Sequence, residues 1–205
     1  MGLQITETSG IQGMEVFQSK NLEDVPGGLT LDQTNNNFDE GVVVQKGELI
    51  IYDESTRLAV VDKLATVHAT VGDTDVKIQV KKGHCLSVGD VIAEGDEGGA
   101  AYAITEIDTS DDDYDNVTVD TALGVLSAGD VLWLSAATGA TKSEYLGTPN
   151  GVLKNDCKPS ANDAVSVVTR GTVYERRLPG IYGGYGVPSG KKSAMSDRIL
   201  FSDSF

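Results

Sequence analysis

Few side chains in this sequence are equipped for covalent chemistry. Hydrolysis through an activated nucleophile needs a Ser or Cys, a histidine base and an orienting carboxylate, and the only histidines are His68 and His84. His84 directly precedes Cys85. Neighbouring side chains on an extended backbone point to opposite faces, so this pair is not expected to act together. A dyad of a histidine with Cys157 stays open, a structural thiol being the commoner case. No G-x-S-x-G elbow occurs. Two Cys and two His lack the close paired spacings of a zinc site. The acidic run Asp108, Asp111, Asp112, Asp113, Asp115 invites a calcium reading, because hard cations prefer clustered carboxylates. Counted from Asp111, however, the EF-hand glycine position is Asn116 and the closing glutamate position is Ala122, so a solvated turn is expected. Gly190-Lys191-Lys192-Ser193 resembles a phosphate loop only in part. Its earlier glycine, Gly186, is one position too near, and Lys192 stands where a hydroxyl residue belongs. The expectation is a non-enzymatic chain without metal or cofactor.

Charge narrows the partners. Sixteen Lys and Arg against 31 Asp and Glu give a net charge of −15, which repels nucleic-acid backbones and anionic lipid alike. Residues 164–205 carry six basic and three acidic side chains, a local +3, while the rest carries ten and 28, or −18. A basic contact at the C-terminal end therefore remains available. Cys85 and Cys157 are too few for a disulfide scaffold and are expected as buried free thiols. No signal-peptide pattern and no long apolar run is visible, so neither export nor a membrane is expected, and synthesis in a cytoplasm is.

The elements that must position any site are short strands. Val76-Lys77-Ile78-Gln79-Val80, Val117-Thr118-Val119 and Val165-Ser166-Val167 alternate with period two, which places every second side chain in a core. Leu49–Tyr52 and Leu58–Val61 flank the polar turn Asp53-Glu54-Ser55-Thr56 as a hairpin. No window sustains helical periodicity. The prediction is an all-β fold of one or two small β-barrel or β-sandwich units. Residues 1–40 are polar and read as an extended N-terminal arm, ahead of a β-rich region 41–205 divisible at 41–110 and 111–205. Leu86-Ser87-Val88-Gly89-Asp90-Val91-Ile92 recurs forty residues on as Leu126-Ser127-Ala128-Gly129-Asp130-Val131-Leu132, a turn followed by a buried strand. Gly180–Pro188 reads as a flexible loop with two tyrosines able to pack on a neighbour. Ile199-Leu200-Phe201 reads as a terminal strand that docks on its own sheet or, by strand addition, on another subunit.

Several strings carry a resemblance: Lys46-Gly47-Glu48-Leu49, Ala101-Tyr102-Ala103-Ile104-Thr105-Glu106-Ile107-Asp108, Thr148-Pro149-Asn150-Gly151, Arg170-Gly171-Thr172-Val173-Tyr174-Glu175-Arg176-Arg177 and Ile199-Leu200-Phe201-Ser202. Over about residues 40–205 the chain resembles head-fibre and auxiliary capsid (decoration) proteins of tailed bacteriophages that infect Bacteroides-type gut bacteria. The resemblance implies a structural virion protein on the outer capsid surface, oligomeric as a trimer or dimer, partnered by the major capsid protein and without catalytic residues. Under it, Arg170, Arg176 and Arg177 are capsid-binding candidates, because guanidinium groups fork onto carboxylates, and Ile199, Leu200 and Phe201 are oligomer-contact candidates. The alternative is an adhesion module that stacks glycans or host surface on the tyrosines of Gly180–Pro188. A hydrolase using His68 or His84 is the third class.

Overall fold

Period-two burial decides the architecture: Ile78 and Val80 are fully buried while Lys77 between strand and solvent is exposed, and the same alternation repeats through the chain. The computed structural model describes residues 15–18, 20–159, 164–182, 184–195 and 197–203. In chain order the strands are β1 (Glu23–Asp24), β2 (Leu29–Leu31), β3 (Leu49–Asp53), β4 (Leu58–Asp62), β5 (Leu64–Thr66), β6 (Lys77–Lys81), β7 (Val91–Glu94), β8 (Ala101–Asp108), β9 (Tyr114–Val119), β10 (Val131–Leu134), β11 (Gly151–Leu153), β12 (Ala164–Val165), β13 (Val167–Tyr174) and β14 (Ile199–Ser202), with one short helix, α1 (Ser189–Met195). The fold is all-β.

The strands form two sheets, and each curls on itself. In the second sheet every pairing of the order β5-β10-β7-β8-β9-β6 is antiparallel. Its ends meet where Val67 bridges Val80 and His68 N donates to Gln79 O at 2.7 Å. The result is a closed six-stranded barrel, which leaves no sheet edge. Its interior holds Ala65, Val67, Ile78, Val80, Ile92, Ile104, Val117, Val119, Leu132 and Leu134, while the alternate residues Leu64, Ala93, Val131 and Trp133 face outward into a second cluster. The first sheet runs β1-β13-β11-β3-β4-β2-β12, with β14 parallel on β13. Only Val25–Gly28 separate β1 from β2, and only Ser166 separates β12 from β13. The two ends of this sheet are thus bends of one antiparallel pair, bridged by Val25 N to Val167 O at 2.9 Å, and the sheet closes into a ring around Leu29, Leu31, Ile50, Val61, Leu153, Val165 and Val167.

Chain order makes the barrel an insertion. The ring supplies β1 to β4, the chain leaves through Asp62-Lys63, builds the barrel, and returns for β11 to β13. The division expected at residue 110 falls instead in the β8–β9 turn, inside the barrel. The described part of the expected arm is also woven in: β1 pairs with β13, β2 pairs with β4 and β12, and Val16 and Phe17 are buried. Its apolar residues are too far apart to show a period, and they find their partners from across the sequence. Residues 1–14 lie outside the described residues.

The C-terminal segment straps the two units together. Leu178, Ile181, Val187, Met195 and Ile199 join the cluster that holds Trp133 of the barrel and Leu49, Val152 and Val168 of the ring. The expected flexible loop therefore begins as a buried 3₁₀ turn, Pro179–Ile181, whose Gly180 lies so close to the Leu64 backbone that a Cβ would overlap it. The helix α1 is too short to show a period and is held by its buried Lys191 and Met195 rather than by propensity.

The sequence echo is a repeated turn. Ser87 N donates to Asp90 Oδ2 at 2.8 Å and Ser127 N to Asp130 Oδ2 at 2.7 Å, with Gly89 and Gly129 at φ of 93° and 98°. Gln45-Lys46-Gly47-Glu48 is a third copy in the ring, with Gly47 at φ 100° and Glu48 N donating to Gln45 O. Glycine is also required by packing at Gly151, where a Cβ would overlap Val167 Cγ1. Gly151→Ala is expected to cost about 1–3 kcal/mol, the range for overpacking a filled core, read as a lower urea midpoint with an unchanged slope; an unchanged midpoint would show that the ring interior has slack.

Candidate functional site

The chain crosses from ring to barrel at Asp62-Lys63, and extended geometry sends these adjacent side chains in opposite directions. Asp62 meets Lys191 of α1 with both oxygens, at 2.8 and 2.6 Å, and both side chains are 0% exposed. Lys63 meets Asp90 Oδ2 at 2.7 Å, also buried, and donates to Asn37 O. Aromatic faces complete the shells: Lys191 Nζ lies 4.5 Å from the Tyr145 ring centroid and 5.4 Å from that of Trp133, and Lys63 Nζ lies 4.8 Å from Phe38. Burial pushes the Asp62 carboxyl up and the Lys191 ammonium down, and their mutual attraction opposes both shifts. These charges are sealed from any substrate. They fix how the units sit together.

Beside this seam lies Glu48, 2% exposed, whose carboxyl burial pushes up to about 8. Its Oε1 has no hydrogen-bond partner, and Cys85 is hydrogen-bonded to the carboxyl. Burial, then the neighbouring Glu48, pushes the Cys85 thiol well above its ordinary value, so it is held as a thiol and is a poor nucleophile. His84 points the other way, as adjacency predicts: Nδ1 accepts from Leu86 N at 3.2 Å and Nε2 faces Asp115 Oδ2 at 3.2 Å. Burial raises the Asp115 carboxyl, but hydrogen bonds from His84 and Lys82 outweigh it and hold the group below its usual range. His68 stacks on Tyr114 with centroids 5.1 Å apart. Cys85 and Cys157 form no disulfide; Cys85 is buried, whereas Cys157 is only half-buried.

The other sequence motifs resolve into local structure. Asp108 accepts from Ser110 N and Asp111 from Asp113 N, so these acids shape the β8–β9 turn. Among the described residues no group of three or more His, Cys, Asp or Glu is arranged to hold a metal ion. In the phosphate-loop-like segment Lys191 is buried on Asp62 and Lys192 pairs with Glu175. No helix among the described residues is long and apolar enough to cross a membrane.

The capsid-binding candidates occupy two places. Arg170 is exposed in the middle of β13, with Nη1 3.4 Å from Glu23 Oε1. Arg176 and Arg177 lie past the end of that strand on a 3₁₀ turn; Arg177 donates to Glu15 O at 2.9 Å and lies 4.5 Å over the Tyr174 ring, and Arg176 is exposed. The strand from Arg170 to Tyr174 spans about 13 Å, so two basic positions stand apart. Of the oligomer-contact candidates, Ile199 is 1% exposed in the core and Phe201 packs against it, while Leu200 is 63% exposed. Docking of β14 on its own β13 is what the structure adopts. Only Leu200 among the three offers a free apolar surface.

Comparison of the chain with known protein families, with curated proteins and with solved structures finds no match.

Sequence reasoning passes over Glu48, Asp62 and Lys63, and weighs Lys191 only as part of an incomplete phosphate loop. One signal was present: Asp62-Lys63 interrupts an otherwise apolar run from Leu58 to Ala65, and charges inside such a run must be paired when buried. Two outcomes follow from the seam. Asp62→Asn or Lys191→Met alone is expected to cost about 3–5 kcal/mol by stranding a buried charge, while the double variant Asp62→Leu/Lys191→Met recovers most of it; equal losses in single and double variants in urea titrations would refute the pairing. For Glu48, a carboxyl raised in the folded state contributes stability that is complete below its unfolded value near 4.5 and is lost as pH rises through about 8. Wild type is expected to lose on the order of 4 kcal/mol over that window, and Glu48→Gln to remove the loss, measured as urea midpoints at pH 5 and pH 9.

Proposed function

We propose that this chain is a non-catalytic structural subunit that binds the outer surface of a phage capsid as a decoration or head-fibre protein, with the major capsid protein as its partner. The observation that carries the reading is where reactivity and exposure lie. Lys191, Glu48 and Cys85 are buried at the joint between the two units and His84 is held against Asp115, whereas apolar side chains such as Leu200 and Tyr185 stand at the surface. A closed barrel inserted in a closed ring is a rigid body with few edges, suited to holding a surface in one shape. Attachment selective for the assembled shell stabilises that shell by mass action. Among the described residues β14 pairs only with β13, so its outer edge can add to a second copy and make a dimer or trimer.

A second reading, glycan or host-surface binding, is favoured by Tyr182 and Tyr185, which are 42% and 79% exposed in one loop. A glycan array separates the two. On the capsid reading, charge reversal of Arg170, Arg176 and Arg177 together abolishes co-sedimentation with empty phage heads. Leu200→Asp lowers the solution mass seen by light scattering. Unchanged head occupancy in the triple variant removes the arginines from the interface, and a strict monomer that ignores heads removes the whole reading.

A further inference from the structure

Among the described residues Lys191 and Asp62 are the one lysine–carboxylate pair with both side chains 0% exposed, and the two oxygens stand 2.8 and 2.6 Å from Nζ. Tyr145 and Trp133, tilted with ring centroids 4.5 Å apart, close over the ammonium. Gly190 lets Tyr145 come down, because a Cβ there would lie 2.8 Å from its Cε2 and 2.9 Å from its phenol oxygen. Among the described residues neither Asp62 nor Lys191 has a second hydrogen-bond partner. The neighbouring pair is built differently. Asp90 is fixed as a carboxylate by Ser87 N at 2.8 Å and Asn37 Nδ2 at 3.1 Å besides Lys63, and Lys63 also donates to Asn37 O. The lysines of the other pairs, Lys82, Lys154 and Lys192, are reached by water.

An amine and a carboxyl group do not condense in water, where both are charged and solvated. The seam removes each obstacle. Contact between the two groups replaces a chance encounter by an effective concentration far above any reached in solution. The aromatic lid excludes the water that would solvate the ions and hydrolyse the product. With only each other and two ring faces as partners, the ions recover little of their desolvation cost. Burial moves the Asp62 carboxyl up and the Lys191 ammonium down, each toward the neutral form that can react.

We propose that Lys191 and Asp62 condense in the folded chain to a side-chain amide, a covalent cross-link that ties α1 to the end of β4. A proton moves from Nζ to the carboxylate, giving amine and acid. The carboxyl turns about Cβ–Cγ, the Nζ lone pair attacks Cγ, and the C=O electron pair moves onto oxygen. A second proton passes from nitrogen to the hydroxyl oxygen it already faces, the C=O bond re-forms as the C–OH bond breaks, and one water leaves. No co-reactant enters. The product is neutral, so two buried charges disappear, and the chain from 62 to 191 becomes a closed loop. Folding makes the ion pair first and the bond second, so urea midpoints of the seam variants compare with wild type that still has its full mass. The inference goes beyond the surface-binding reading and does not depend on it.

The experiment is the denatured intact mass of the purified full chain, followed by tryptic peptide sequencing in the mass spectrometer. The expected result is a species lighter than the sequence mass by one water, increasing as the folded protein is incubated and not increasing in urea. Its digest contains a branched peptide in which residues 58–63 are joined to residues 178–192 through Asp62 and Lys191. Lys191→Arg keeps the charge pair but cannot form the bond and should stay at full mass. Gly190→Ala keeps both reacting groups but lifts Tyr145, and should slow the loss of water several-fold. A folded wild type that stays at its full sequence mass overturns the cross-link. So does a water loss without the branched peptide, which would place the dehydration elsewhere in the chain.

Discussion

Two neighbouring charges, Asp62 and Lys63, set the arrangement of the molecule. They are the crossover from ring to barrel, and each is buried with a partner from a different part of the chain: Lys191 from α1, and Asp90 from the repeated turn that opens β7. A buried ion pair gives little net stability against apolar packing but penalises every arrangement that leaves one charge alone. The pairs therefore act on geometry. If the barrel turned against the ring, or the C-terminal segment lifted off, at least one charge would be stranded out of water. The apolar cluster around Trp133 supplies the area of contact, and the ionic pairs supply its register.

The same constraint frames the functional account. Asp62, Lys63 and Lys191 are consumed in holding the two units together, and Glu48 and Cys85 are buried at the joint rather than at a mouth. Closure of both sheets removes most strand edges, so the remaining features for recognition are few: the outer side of β14 with Leu200, the arginines along and beyond β13, and the exposed Tyr185.

Strands were legible where alternation is local. Ile78 and Val80, Val117 and Val119, and Val165 and Val167 bury as their spacing requires, and the Leu49–Tyr52 with Leu58–Val61 hairpin pairs in register. The repeat Leu86–Ile92 and Leu126–Leu132 was legible as turn plus strand, because glycine at positive φ and an aspartate that bonds back to the turn are both local chemistry. What was hidden is long-range. The two-residue and three-residue strands β1, β2 and β12 are too short for a period and exist only through partners more than a hundred residues away in two of their pairings. The insertion of the barrel was hidden for the same reason, as closure of the ring depends on β11 to β13 returning to strands made much earlier. Among the site residues, adjacency alone separated His84 from Cys85 correctly, whereas the burial of Ile199 and the exposure of Leu200 required knowing which face of β14 meets β13.

The central claim is that ring, inserted barrel and C-terminal strap form one cooperative body because the Asp62-Lys63 crossover is locked on both sides. Differential scanning calorimetry of the full chain tests it most directly. The account predicts a single transition whose calorimetric and van't Hoff enthalpies agree. Two resolved transitions, with the barrel of residues 64–135 melting apart from the ring, would contradict it.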